Sequence, residues 1–317
     1  VEILELDDRE ACCAVWQSIV PQEHLFDLWE VRDCFARHYA RPLRFLVAYD
    51  QGTPRGLLAL AGTDDADGWG CFPGETWHGK TWLERNRIIA DSPEVCRALL
   101  DRCPPNTHLR YLSSMPPGGG EWEIDEVGYL FRPADWEYSV ERYRAAFSSK
   151  SRRRNRIETD AFIQRGLEIR RDVMDDIELM IELNLQAFGE HSYFADVRFR
   201  NGLRDLLAWL AAQKGLGVTT VLIGGKVAAV DVYAVYKNSC TVLAGGTNPE
   251  FPGVAKVINH AHIEWACTQR YAEVDFLCGD FGWKERFHLT PRPLHHYRSP
   301  LHRGDTSDVT TSGATHA

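Results

Sequence analysis

The chain has 317 residues, 44% of them hydrophobic and 26% charged, and a net charge of -9 at pH 7. Length and composition fit a folded, soluble protein of about two domains. They exclude a nucleic-acid footprint over the whole surface, and no run approaches the ~20 apolar residues of a membrane span. The acidic excess sits in residues 1–138, and the remainder is close to neutral, which again suggests two units with different surfaces.

Nine cysteines, an odd number without a C-x-x-C pair, indicate neither a zinc cluster nor a disulfide framework. Free thiols point to a reducing cytoplasm. The opening VEILELDDRE is acidic and lacks the apolar core of a signal peptide.

In chain order, Ile3–Leu6 reads as a short strand, followed by a helix capped by Asp7 or Asp8 and ended by Pro21. Residues 25–39 predict a second helix. Two apolar strands, 44–49 and 56–61, flank the turn DQGTP and predict an antiparallel hairpin. Residues 74–81, GETWHGKT, match the phosphate-loop pattern G-x-x-x-x-G-K-[ST]. No strand leads into them, and Trp77 and His78 are bulky where amides would wrap a phosphate. An accidental match is therefore expected, and nucleotide binding is kept as the rival function. Ser92 and Pro93 begin a helix through 103. Strands are expected at 109–112 and 129–131.

Residues 139–165 predict one long helix or two in series. Its centre, KSRRRNR, carries Lys150, Arg152, Arg153, Arg154 and Arg156. These surround the helix rather than stripe it. Two readings stand: a solvated connector, or a site for the phosphates of coenzyme A, a nucleotide or tRNA.

The second half repeats the plan of the first: strand, helix, helix, three strands, helix, strand. The order strand–loop–helix–strand over 240–277 is a crossover that makes its flanking strands parallel. Such a pair frames a crevice with the helix N-terminus. There the amides of Gly253, Val254, Ala255 and Lys256 are candidate donors for an anion. Strand 273–277 breaks at Gly279 and opens into Asp280, Trp283 and Lys284.

The run LIGGKVAAVDVYAVYKNSCTVLAGGTNPEFPGVAKVINHAHIEWACTQRYAEVDFLCGDFGWKERF resembles the C-terminal half of CelD/BcsL-type proteins. These are GNAT-superfamily N-acyltransferases related to Fem-type aminoacyl-tRNA-dependent transferases. The resemblance rests on a glycine hairpin with GKVAAV, a PG before the crossover helix, and DF…G…K after the next strand. It spans about 148–298 and is weaker over 1–138.

It implies an α/β fold of two tandem GNAT-like domains, each a mixed sheet with flanking helices. The expected division is a degenerate first domain (1–138), a basic linker helix (139–166), a catalytic domain (167–300) and a disordered tail (301–317). The implied reaction moves an acyl or aminoacyl group from acyl-coenzyme A or aminoacyl-tRNA to an amine on a small molecule or peptide, without a metal. Coenzyme-A-binding members carry Q/R-x-x-G-x-G/A before the crossover helix. Here that loop reads PEFPGVA, with one glycine and no Arg or Gln.

Acyl transfer to an amine needs a proton acceptor, a donor for the oxyanion, and alignment. By resemblance, Lys284 holds the position that binds phosphate or offsets negative charge. A surface lysine is the plainer reading. Asp280 is read as proton acceptor or helix cap, and Asp275 as catalytic or paired with a buried partner. Trp283, Trp82 and Asp231 are candidate substrate contacts. His260 and His262 are two apart on one helix and cannot share a face for one metal. A non-catalytic, anion-binding module is the other rival.

Overall fold

Helix starts follow local capping chemistry. Asp8 accepts from the amide of Ala11 at 2.9 Å and opens α1 (Arg9–Ile19) after β1 (Glu2–Leu6). The predicted helix over 25–39 is divided. The Asp27 carboxylate takes the amides of Glu23 and His24, which tightens 25–27 into a 3₁₀ turn, and α2 (Trp29–Tyr39) follows. The computed structural model describes residues 1–65, 67–114, 123–279 and 282–299. The expected tail over 301–317 lies outside them.

The hairpin is β2 (Leu43–Asp50) and β3 (Thr53–Gly62), followed by β4 (Trp69–Cys71) and β5 (Ile89–Ala90). Ser92 caps α3 (Pro93–Asp101), and β6 (His108–Leu112) and β7 (Ile124–Phe131) come next. The basic segment is two helices, α4 (Val140–Ala145) and α5 (Ser149–Gln164). They divide where the Ser148 hydroxyl accepts from the Ser151 amide. Then come β8 (Leu167–Arg171), α6 (Asp176–Phe188), α7 (Val197–Ala212), β9 (Leu216–Ile223), β10 (Lys226–Tyr236), β11 (Ser239–Thr247), α8 (Val254–Gln269), β12 (Glu273–Asp275) and β13 (Thr290–Arg298).

The smaller sheet runs β1-β2-β3-β4, with β5 on β3. The larger runs β6-β13-β7-β12-β11-β10-β9-β8. Two of its strands, β6 and β7, therefore come from before residue 138, and β13 lies between them.

The repeat expected from the sequence is present in three dimensions. The order β1 α1 α2 β2 β3 β4 α3 β6 matches β8 α6 α7 β9 β10 β11 α8 β12. In the second copy, β11 and β12 run parallel over 239–241 and 273–275 and then part. In the first copy, β4 and β6 meet in one parallel bridge, Trp69 with Thr107, and then part.

A shared apolar core joins the copies. Phe35 and Trp82 pack on Phe199 at 5.4 and 5.6 Å between ring centres. Gly202 lets α7 approach α2, since a Cβ there would lie 2.8 Å from the Phe35 ring. Trp82 is thus a core residue, not the expected wall of an acceptor site.

Candidate functional site

The end of β12 is held by buried charge. The strand stops at Asp275, not 277, because the Asp275 carboxylate accepts the amide of Leu277, whose φ is 56°. Arg85 donates to Asp275 at 2.8 and 3.0 Å and to Glu273 at 2.7 Å. Arg292 reaches Asp275 at 3.2 Å and Glu84 at 2.9 Å, and Glu84 also accepts the Cys278 amide at 2.5 Å. Burial alone would raise the Asp275 pKa, but Arg292 and Arg85 outweigh it and hold the group low. Burial, then the neighbouring Asp275, pushes Glu84 the other way.

Lys284 sits beneath this cluster at 3% exposure. Its Nζ donates to the carbonyls of Phe276, Leu277 and Cys278 at 2.9, 2.7 and 2.8 Å, and burial lowers its pKa. All three N–H donors are engaged. The surface lysine weighed from sequence is thus corrected, and so is a free cation aimed at a donor phosphate. The ammonium gathers three successive carbonyls and fixes the path of 276–278. Asp275 likewise faces two arginines rather than the opening. Asp280 lies outside the described residues. Trp283 is half-buried, edge-on to Phe276 and Phe287.

Across the opening stands α8. Gly253 caps it with φ 91°, a conformation that favours glycine. Of the four candidate amides, Val254 already donates to Phe251 and Lys256 to Gly253, both at 3.1 Å. The Lys256 side chain donates to Glu158 of α5 at 2.6 Å, and Glu158 also accepts from Arg154 at 2.8 Å. The basic helix is therefore tied to the first turn of α8.

Asp231 on β10 accepts from His262 Nε2 of α8 at 3.0 Å in the tautomer that protonates that nitrogen, with both side chains buried. Gly245 makes room for this carboxylate. A Cβ there would lie 2.2 Å from Asp231 Oδ1. Gly245 is on the part of β11 that β12 has left, so Asp231 borders the opening, and the Gly245 carbonyl accepts from Asn184 at 2.8 Å. His260 points elsewhere and stacks on Phe287 at 4.6 Å. Among the described residues, no three His, Cys, Asp or Glu side chains gather as a metal site.

The phosphate-loop match at 74–81 is a tight hairpin. Thr76 and Trp77 donate to the carbonyl of Lys80, and Lys80 donates back to Trp77. Contrary to the sequence reading, a strand does precede it, since β4 ends at Cys71, but no helix leaves it, and Lys80 pairs with Glu126 at 3.0 Å. The amides of Thr76, Trp77 and Lys80 are thus used within the turn and do not face a phosphate.

The comparisons with known proteins agree with this geometry. A family model described as an acetyltransferase (GNAT) domain matches residues 149–285. Residues 149–285 have the fold of a GNAT domain.

A crystal structure of FemX superposes with TM-score 0.56 at 10% identity, over 92% of this chain and 96% of that one. L-PGS from Bacillus licheniformis gives 0.54 at 10%, over 94% of each. A tandem GNAT protein from the clavulanic acid biosynthesis pathway gives 0.52 at 11%, over 93% and 97%. At these identities the likeness is one of fold, and that fold is the tandem GNAT arrangement. No curated protein sequence matches the chain.

Glu84, Arg85 and Arg292 escaped the sequence reading. The one available signal was the charged pair Glu84-Arg85 directly after the apolar Trp82-Leu83, which asks for buried partners.

Proposed function

We propose that this protein transfers an acyl or aminoacyl group to an amine at the opening between β11 and residues 276–279. One observation carries the reading. Within the GNAT domain, the parallel pair parts after Thr241 and Asp275, beside the N-terminus of α8. A thioester or ester lying there would be attacked by the acceptor amine. The C–N bond forms, the amine proton leaves, and the thiol or hydroxyl of the donor departs.

In this reading Asp231, backed by His262, contacts the amine. Asp280, next along the chain, is the candidate proton acceptor. Asp275 and Lys284 act as positioning residues, because their polar atoms are engaged with the protein. The α5 helix supplies phosphate contacts. Lys150 and Arg153 line an open groove of about 590 Å³ on it. Nine unpaired thiols favour the cytoplasm.

The donor is acyl-coenzyme A or aminoacyl-tRNA. Native mass spectrometry of the full chain with each donor in parallel separates them. One donor is expected to form a complex that Lys150→Ala/Arg153→Ala weakens. If the donor is tRNA, the logarithm of affinity should fall by about 0.7–0.9 per phosphate contact for each log unit of salt. Binding of neither donor, or binding indifferent to salt and to those substitutions, overturns the reading.

A further inference from the structure

The first copy of the repeat has an opening of its own. Beyond the Trp69–Thr107 bridge, β4 and β6 part as β11 and β12 do, and here the gap is a cleft of about 510 Å³. That volume is in the range of small-molecule sites. Gly70, Cys71 and Gly74 line one wall, and His108 and Arg110 the other. Gly74 has φ 89°, and a Cβ on it would lie 2.5 Å from the Gly62 carbonyl, so this wall requires glycine where it packs on β3.

The charges on the walls are unequal in how they are satisfied. Arg110 is bidentate to Asp125 and brings no net charge. Asp64, next to the cleft, is paired with Arg41 and Arg198. Arg298 lines the cleft and, among the described residues, has no carboxylate within ion-pair distance. Asp65 and Glu75 line it too, and among the described residues neither has a cationic partner within that distance. His108 is held neutral near pH 7, because burial and then Arg298 push its pKa down to about 4. Among the described residues, the cleft therefore offers one guanidinium without a carboxylate at ion-pair distance and two carboxylates without a cation at that distance, and Glu75 also accepts the Asp64 amide while burial and then Asp65 push its pKa up.

We infer that this cleft binds a small molecule bearing both a carboxylate, met by Arg298, and an ammonium, met by Glu75 and Asp65. Such a molecule is an amino acid or a short peptide. A simple anion would face two carboxylates, and a simple amine would leave Arg298 uncompensated. If the proposed transfer is correct, the ammonium group makes this ligand an acceptor or a product. That assignment rests on the transfer reading, and the binding itself does not.

The test is titration calorimetry on the full chain without any acyl donor. The probes are alanine and alanyl-alanine as zwitterions, cadaverine as amine alone and succinate as carboxylate alone. At least one zwitterion is expected to bind about tenfold or more tighter than either single-charge probe. Alanine and alanyl-alanine distinguish a free amino acid from a peptide end. Arg298→Gln should weaken the zwitterion about tenfold and leave cadaverine unchanged, and Glu75→Gln should weaken both. Arg298 is exposed, so its variant should melt close to the parent, and Arg298→Lys should recover part of the affinity. Equal binding of all probes, no binding at 10 mM (about the weakest affinity such a site would show), or affinity unaffected by both substitutions overturns the inference. Zwitterion binding without transfer from any donor would leave this site standing and remove the transfer reading.

Discussion

The end of β12 and the helix α5 both concentrate charge, and they use it in opposite ways. Around β12, Glu84, Arg85, Asp275, Lys284 and Arg292 are largely buried and hydrogen-bonded to one another or to backbone. On α5, Lys150, Arg153 and Arg156 are exposed. A buried charge must be matched by partners already present in the fold, so its loss is felt as stability. An exposed charge is balanced by water and salt, so its loss is felt only when a polyanion binds. Burial, rather than residue type, separates architecture from docking surface here.

The strongest way to break this contrast is Asp275→Ala. It leaves Arg85 and Arg292 buried beside one fewer anion, and a cost of about 3–5 kcal/mol is expected. Urea denaturation measures it, and a loss below about 1 kcal/mol would mean the cluster does not join the two halves.

Lys284→Ala comes next. It removes the donor shared by three carbonyls and should cost about 3 kcal/mol, with a lower melting temperature. A surface lysine, as weighed from the sequence, would instead melt like the parent when replaced. Parental melting with lost turnover would restore a direct catalytic role for the ammonium.

Acid should then sharpen the contrast. His260 is shifted from 6.5 to about 4, first by burial and then by Arg144 and Lys256. Between those values the unfolded chain binds the proton and the folded chain does not. Stability should therefore fall as pH drops from 6.5 toward 4, by up to about 3 kcal/mol from this group. His260→Phe should flatten that part of a pH–stability curve, and an unchanged slope would show that the ring is solvated.

The smallest effect on stability belongs to Lys150→Ala/Arg153→Ala, less than about 0.5 kcal/mol. Its signature is instead a shallower salt dependence of donor binding. A substantial drop in melting temperature would place α5 with the architecture after all.

Most of the order of elements was legible in the chain because it rests on local signals, but the short β4 and β5 and the closing β13 were not read. Ser92-Pro93 starts a helix, glycines mark the turns, and strand–loop–helix–strand fixes a parallel pair. The unusual placement of Asp275 and Lys284 was legible too, an acid inside an apolar strand and a lysine past its end. Their direction was not. Lys284 turns inward because three carbonyls wait there, and Asp275 is paired with Arg85, 190 residues away. No spacing rule carries information over that distance. Trp82 misled for the same reason. Its partners Phe26, Phe35 and Phe199 come from both copies, and only the folded chain brings them together.

The place of β13 has a consequence for how the molecule is made. The larger sheet seats residues 290–298 between β6 and β7, with Leu294 opposite Glu126 and His295 opposite Leu112. During synthesis β6 and β7 leave the ribosome more than 150 residues before the strand that separates them. The smaller sheet can close early on its own antiparallel pairs. The slot between β6 and β7 must stay vacant through the whole translation of the GNAT domain. A nascent chain stalled before Thr290 should show a protease-resistant first sheet and cleavable segments at 108–112 and 124–131, and release of the last strand should protect both at once.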